Sequence, residues 1–190
     1  MFFNKDMITL HLRIHNSINQ KTYNQIIDSL QIYTLKCPSC GHSGSLRKHG
    51  YYHRYIKTQG NCIKLTILRL KCMECGHTHA ILIDAIVPYS QYLLKDQLAV
   101  ITAQNNRQLL KELMDENYYI DESVIYRIRK RYEKYWKERL FCFGIKLELT
   151  SITMECFSKL NRQFMQIHST VNRLYRANHI TFLQTSISII

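Results

Sequence analysis

The sequence predicts an α+β fold, with short β hairpins in its first half and a helical bundle in its second. Three observations predict it. Five of the six glycines fall between residues 41 and 76, in a stretch that also holds the alternating, β-type run from Cys62 to Cys72. From Leu93 onward the apolar period changes from that of a strand to that of a helix. Between the halves stands Pro88, which disfavours continuation of either element.

In chain order, Met7 to His15 places Ile8, Leu10, Leu12 and Ile14 on one side and reads as a strand. Residues 21–33 read as a helix with Ile26, Ile27 and Leu30 as its apolar stripe. Two matched pairs follow, Cys37-Pro-Ser-Cys40 and Cys72-Met-Glu-Cys75, each trailed by Gly-His and separated by 31 residues. A tetrahedral Zn²⁺ site wants four soft ligands, and two C-x-x-C turns supply them from two loops. The glycine after each pair suits a tight knuckle whose N–H groups point at the thiolates. Cys37, Cys40, Cys72 and Cys75 are therefore the expected ligands of a structural Zn²⁺ in a four-cysteine zinc ribbon. Four thiolates fill the coordination shell and leave no position for a catalytic water. The competing reading, a redox dithiol, needs one pair beside a βαβ pattern rather than two matched ones. His42 and His77 could replace a cysteine, but four cysteines already satisfy the ion. His49, His53 and His79 read as surface groups or as neighbours of the ligands. Cys62 has no partner at ligand spacing and reads as buried and inert.

Ala80 to Ile86 would close the ribbon. Beyond Pro88, helices are expected over 93–104, 106–116 and 121–141. Asp121 is a good N-cap and Glu122 complements the dipole of the first turn. In the third helix Val124, Ile125, Ile128, Tyr132, Tyr135, Trp136 and Leu140 make one continuous apolar stripe. The remaining face carries Arg127, Arg129, Lys130, Arg131, Lys134 and Lys137. Two short helices and a longer basic one after a turn match a helix-turn-helix unit. The expected domains are 1–35, an N-terminal strand and helix; 36–88, the ribbon; 89–144, the helix-turn-helix; and 145–190, a C-terminal helical tail, with Ile152 to Ser169 helical.

Lys and Arg outnumber Asp and Glu by 26 to 14, a formal charge of +12 that favours a polyanionic partner. Residues 41–80 carry seven cations against one acid and 123–146 eight against two, whereas 81–122 hold three against seven. A surface charged only for solubility has no need of such blocks. Three thiols remain outside the two pairs. That odd number, with no secretory signal and no apolar run of membrane length, leads to a cytoplasmic protein as the expectation, with nucleoid association an option beside it and no membrane partner.

Two surfaces are candidates for the polyanion. On the basic helix, Ser123, Tyr126, Arg127 and Lys130 would meet base edges in a major groove. Arg131, Lys134, Lys137 and Arg139 would meet phosphates. The bland alternative is a solvated helix. Yet a structural helix more often alternates signs for i,i+4 support, and only Glu133 and Glu138 balance the seven cations of 127–139. On the ribbon, Arg47, Lys48 and Arg54 interleave with His49, Tyr51, Tyr52 and His53, which suits backbone neutralisation with stacking. An ordinary hydrophilic hairpin explains these residues equally well. For catalysis there is no phosphate loop, no H-E-x-x-H and no nucleophile elbow, and no spacing of acids singles out a metal-dependent nuclease. The chain is expected not to be an enzyme.

The stretches CPSCGHSGSLRKHGYYHR (37–54), ILRLKCMECGHTHAILI (67–83), VPYS (87–90), IDESVIYRIRKRY (120–132) and RQFMQIHST (162–170) resemble a bacterial family of uncharacterised, often mobile-element-linked proteins. That family is similar to the N-terminal zinc-ribbon and helix-turn-helix portion of insertion-sequence transposases. The resemblance implies zinc ligation by the four paired cysteines and a DNA-binding helix-turn-helix after Pro88. Fewer than 50 residues follow the third helix, too few for the family's catalytic domain, so binding rather than cutting of DNA is implied. The expected function is that of a zinc-stabilised binder of double-stranded DNA, a transposon-associated regulator or accessory factor, with a transposase partner. A homodimer fits too, because one helix covers few base pairs. Two other classes stand beside it: an RNA or single-strand binder, and a zinc-ribbon protein-interaction adaptor.

Overall fold

The computed structural model describes residues 7–12, 18–160, 163–166 and 183–187. The protein is a mixed α+β molecule in two compact units. Met1–Arg54, Lys64–Asp84 and Asn178–Ile190 form the first, and Tyr55–Ile63 with Ala85–Ala177 the second.

The strands are β1 (Ile8–Leu12), β2 (Leu46–Thr58), β3 (Asn61–Cys72), β4 (Thr78–Ile83) and β5 (Leu183–Ile187), in one five-stranded sheet of order β2-β3-β4-β1-β5; all but the β2–β3 tip, Tyr55–Ile63, belongs to the first unit. β2 and β3 are joined by the turn Gln59-Gly60, with Gly60 at φ +88°, where only glycine is unstrained. β4 runs antiparallel to β3, while β1 lies parallel to both β4 and β5. The N-terminal strand thus shares a sheet with the cysteine-bearing segment, and the chain's end supplies an edge strand where a helical tail was expected. A fully buried strand such as Ile81–Leu82–Ile83 has no alternation to announce its partners.

α1 (Gln20–Asp28), capped by the Asn19 carboxamide on the Thr22 N–H, packs Tyr23, Ile26 and Ile27 into the core of this unit. Its polar side chains also repair the sheet. β3 and β4 pair at Arg69↔Ala80 and Leu70↔His79. At the next position toward the hairpin tip, the Tyr23 hydroxyl donates to the Ile81 carbonyl and accepts from the Leu68 N–H, each at 3.0 Å. Two residues further, the Gln20 carboxamide accepts from the Thr66 N–H at 2.7 Å and donates to the Thr66 carbonyl at 3.3 Å. Two helix side chains therefore stand in for ladder bonds. Beyond β4, the buried Asp84 accepts from the His11 ring at 2.7 Å, fixing the end of β1.

The second unit is a helical bundle: α2 (Leu94–Thr102), α3 (Arg107–Glu116), α4 (Glu122–Tyr135), α5 (Lys137–Cys142) and α6 (Ile152–Leu160). Its core gathers Leu98 and Ile101 of α2, Val124, Ile125, Ile128 and Tyr132 of α4, Leu140 of α5, and Cys156 and Leu160 of α6. The tip of the β2–β3 hairpin is tied in by the Lys57 N–H on the Gln91 carbonyl (2.8 Å) and the Lys57 ammonium over the Tyr92 ring.

Two expectations need correction here. The helix anticipated over 121–141 breaks at Trp136, whose backbone (φ −125°, ψ −37°) leaves helical geometry. The apolar stripe continues across the break, so the period gives no sign of it. What marks it is the fully buried Trp136 indole set edge-on to Phe164, 5.2 Å between ring centres. Of the helix anticipated over 152–169, Ile152–Leu160 is helical and residues 163–166 are not. Phe164 and Met165 then turn into the core, with Met165 at φ +63°. Residues 161–162 and 167–169 of that expectation, and 13–15 of the first strand, lie outside the described residues. Among the described residues, no helix is long and apolar enough to cross a membrane.

Candidate metal centre and basic helix

In the first unit, the two Cys-x-x-Cys segments fold into matching knuckles. In one, the Gly41 N–H bonds the Cys37 carbonyl (2.8 Å) and the Cys37 N–H bonds the His42 carbonyl (2.9 Å). In the other, Gly76 N–H to Cys72 carbonyl (3.0 Å) and Cys72 N–H to His77 carbonyl (2.9 Å) repeat the pattern. Gly41 and Gly76 sit at φ +76° and +72°, the left-handed region that a side chain would strain. The repeat read in the sequence is a repeat of backbone geometry.

The knuckles bring together the sulfurs of Cys37, Cys40, Cys72 and Cys75, all within 4.8 Å of one another. Cys37 lies 3.6 Å from Cys75, and Cys40 3.7 Å from Cys72. A tetrahedron with metal–sulfur bonds of about 2.3 Å has edges of about 3.8 Å, so this cluster fits a four-thiolate ion closely. These residues could hold a metal, and the geometry closes its shell.

The sulfurs differ in their surroundings. Burial pushes the Cys37 thiol up to about 12, against the N–H groups of Cys40 and Ser39 that favour its thiolate. Burial also raises Cys75, against the His77 N–H. At Cys72, burial is outweighed by the Ser45 hydroxyl and the N–H groups of Cys75 and Glu74, which bring it down to about 6. Ser45 Oγ stands 3.1 Å from Cys72, and His79 Nε2 stands 3.3 Å from Cys37; both residues are buried. His79 is thus a neighbour of the ligands, one of its two expected readings. Ser45 carried no spacing signal at all. His42 and His77 are exposed and outside the cluster. Cys62, expected to be buried, is exposed. It stands one residue past the start of β3 at the hairpin's turn, where the apolar alternation of the strand has not yet begun.

The remaining ribbon candidates lie on β2. Arg47, Lys48, His49, Tyr51 and His53 are exposed, and Arg54 is half-buried. Arg47, His49, Tyr51 and His53 alternate onto one strand face. The Arg47 guanidinium bonds the Gly44 and Leu46 carbonyls at 2.7 and 2.9 Å, which stiffens it at the start of that row.

In the second unit, α4 is capped by Asp121, whose carboxylate accepts from the Val124 N–H (2.8 Å) and the Ser123 hydroxyl (2.6 Å). Those two bonds, the Ser123 hydroxyl first, hold Asp121 below the usual carboxylate range. Val124, Ile125, Ile128 and Tyr132 face the core. Ser123, Tyr126, Arg127, Lys130 and Lys134 are exposed, and so is Lys137 at the start of α5. At offsets of three and four, Ser123, Tyr126, Arg127, Lys130 and Lys134 form a single outward stripe on α4, whereas Lys137 lies past the break at Trp136, on α5. Along the stripe the Lys130 ammonium reaches the Tyr126 hydroxyl at 3.2 Å, and Lys134 lies over the Tyr135 ring at 5.2 Å. Arg131 and Arg139 are half-buried and turn away from the stripe. Arg131 bonds the Pro88 and Met165 carbonyls, and Arg139 the Tyr135 carbonyl at 2.8 Å. Sequence reasoning grouped all these cations, because spacing does not reveal which find an acceptor in their own fold.

Residues 37–128, just under half the chain, match the family model described as a domain of unknown function, DUF6431. The matched stretch holds all four clustered cysteines and α4 as far as Ile128. No curated protein and no solved structure matches the chain.

Proposed function

We propose that the protein binds double-stranded DNA, with a structural Zn²⁺ holding its first unit and α2 to α4 serving as a helix-turn-helix. The observation that carries this reading is the division of α4 into two faces. One is buried in the bundle; the other presents Tyr126, Arg127, Lys130 and Lys134 to solvent in one row. Ser123, Tyr126, Arg127 and Lys130, nearest the helix start, meet base edges, and Lys134 meets phosphates; Lys137, past the break on α5, lines a separate groove and takes no part in the contact. Arg131 and Arg139, already bonded to carbonyls, brace the helix. The ion is assigned as Zn²⁺ because a closed tetrahedral set of four thiolates suits it and excludes a catalytic water. The likeness of the cysteine and helix motifs to insertion-sequence transposases gives the biological setting: a regulator or accessory factor of a mobile element.

Selection of bound duplexes from a random pool by zinc-loaded protein tests the reading. A recovered motif whose binding falls after Arg127→Ala supports it. Equal loss on every sequence would remove the base-reading role, and no binding would leave the adaptor class. Metal analysis runs alongside, with one Zn²⁺ per chain expected.

A second reading has its own support. The β2 row of Arg47, His49, Tyr51 and His53 sets one cation in line with three rings, as a surface for unpaired bases does. Competition between duplex and single-stranded probes separates the two.

A further inference from the structure

The stripe on α4 leaves unexplained the most exposed aromatic side chain on the described surface. Phe141, on α5, is 85% exposed, and Phe143 just after it is 48% exposed. Phe141 borders a groove of about 640 Å³ lined also by Leu140, Ile145 and Leu147. Large apolar rings left in water beside an apolar groove mark a surface that something covers.

The charges say what. The groove's rim carries Glu133 and Glu138 against Lys137 and Lys146, two of each sign, on a chain of net charge +12. A polyanion has no reason to choose that rim over the cationic stripe. A partner must bring an apolar projection flanked by both signs. A second copy of this chain brings that: an isologous contact puts the same patch on both sides, so each Phe141 can meet the other copy's groove while acids face lysines. We infer that this face of α5 and the loop after it is a two-fold homodimer interface. The contact is independent of DNA. Combined with the reading of α4 above, it would pair two such helices, and a dimeric reader of this kind takes a two-fold symmetric site.

Sedimentation velocity of the full, metal-loaded chain over a concentration series, without DNA, tests the interface. A reversible monomer–dimer equilibrium is expected, weakened at least about tenfold by Phe141→Glu. Tyr33→Glu, at an exposed ring of the first unit, should leave it unchanged. Circular dichroism and metal content verify that each variant folds. A second measurement uses the wild-type chain: Cys142, exposed beside Phe141, should be joined to Cys142 of another copy by a short bis-maleimide, whereas Cys62, also exposed, should not. A chain that stays monomeric throughout, or a dimer that survives Phe141→Glu and cross-links elsewhere, overturns the inference. Because no DNA enters either experiment, failure here is distinct from failure of the DNA-binding reading.

Discussion

Single residues decide whether the cysteine cluster is a metal centre or four crowded thiols. Gly76 has open space around its would-be Cβ, so Gly76→Ala is opposed by its φ of +72° rather than by any clash. His79 and Ser45 stand against sulfurs on opposite knuckles and can donate to thiolates that a bound cation creates. Partners of this kind orient ligands, and removing one typically costs about 10–100-fold in metal affinity. We therefore expect His79→Ala to bind Zn²⁺ more weakly by about that factor in a chelator competition, with the one-to-one stoichiometry kept. Cys72→Ser should lose the ion altogether, seen as chain free of metal after gel filtration.

At the scale of elements, two features hold the framework and only one was legible. Asp121 as the N-cap of α4 follows from its place before the apolar stripe, and the structure bears it out. Its folded pKa is lowered, so its contribution is complete above the unfolded value and is lost as pH falls through the folded one. Asp121→Asn keeps an acceptor but cannot titrate. The stability difference between wild type and this variant should shrink on acidification below about pH 4, followed by thermal melts. The splice made by Gln20 and Tyr23 was not legible, because a helix's apolar stripe says nothing about which strand bonds its polar atoms complete. Tyr23→Phe leaves the buried Leu68 N–H and Ile81 carbonyl without the hydroxyl between them. A loss of about 1–3 kcal/mol in denaturant unfolding is expected. Trp136→Ala, at the break between α4 and α5, removes the largest fully buried side chain and should cost about 3–5 kcal/mol.

Over the whole molecule, the sequence revealed what depends on local spacing and hid what depends on distant pairing. The cysteine knuckles, the hairpin, and the three helices after Pro88 were readable because each carries its signal within about a dozen residues. The parallel pairing of β1 with β4, the edge strand β5 and the His11–Asp84 contact join residues more than 70 positions apart, and no local pattern encodes them. The same limit applies to the basic helix, where spacing found the cations and only the fold separated the outward stripe from the inward Arg131 and Arg139. That separation makes the central claim quantitative. For a binder of duplex DNA, log affinity falls linearly with log salt by about 0.9 per phosphate neutralised. Lys134, as a phosphate contact, contributes about 0.9 of that slope, so Lys134→Ala makes it shallower by about one. The measurement is that salt titration, on wild type and on Lys134→Ala. Binding that weakens with salt, with the shallower slope in the variant, is the predicted result; affinity indifferent to salt, or a slope that Lys134→Ala leaves untouched, would contradict the account.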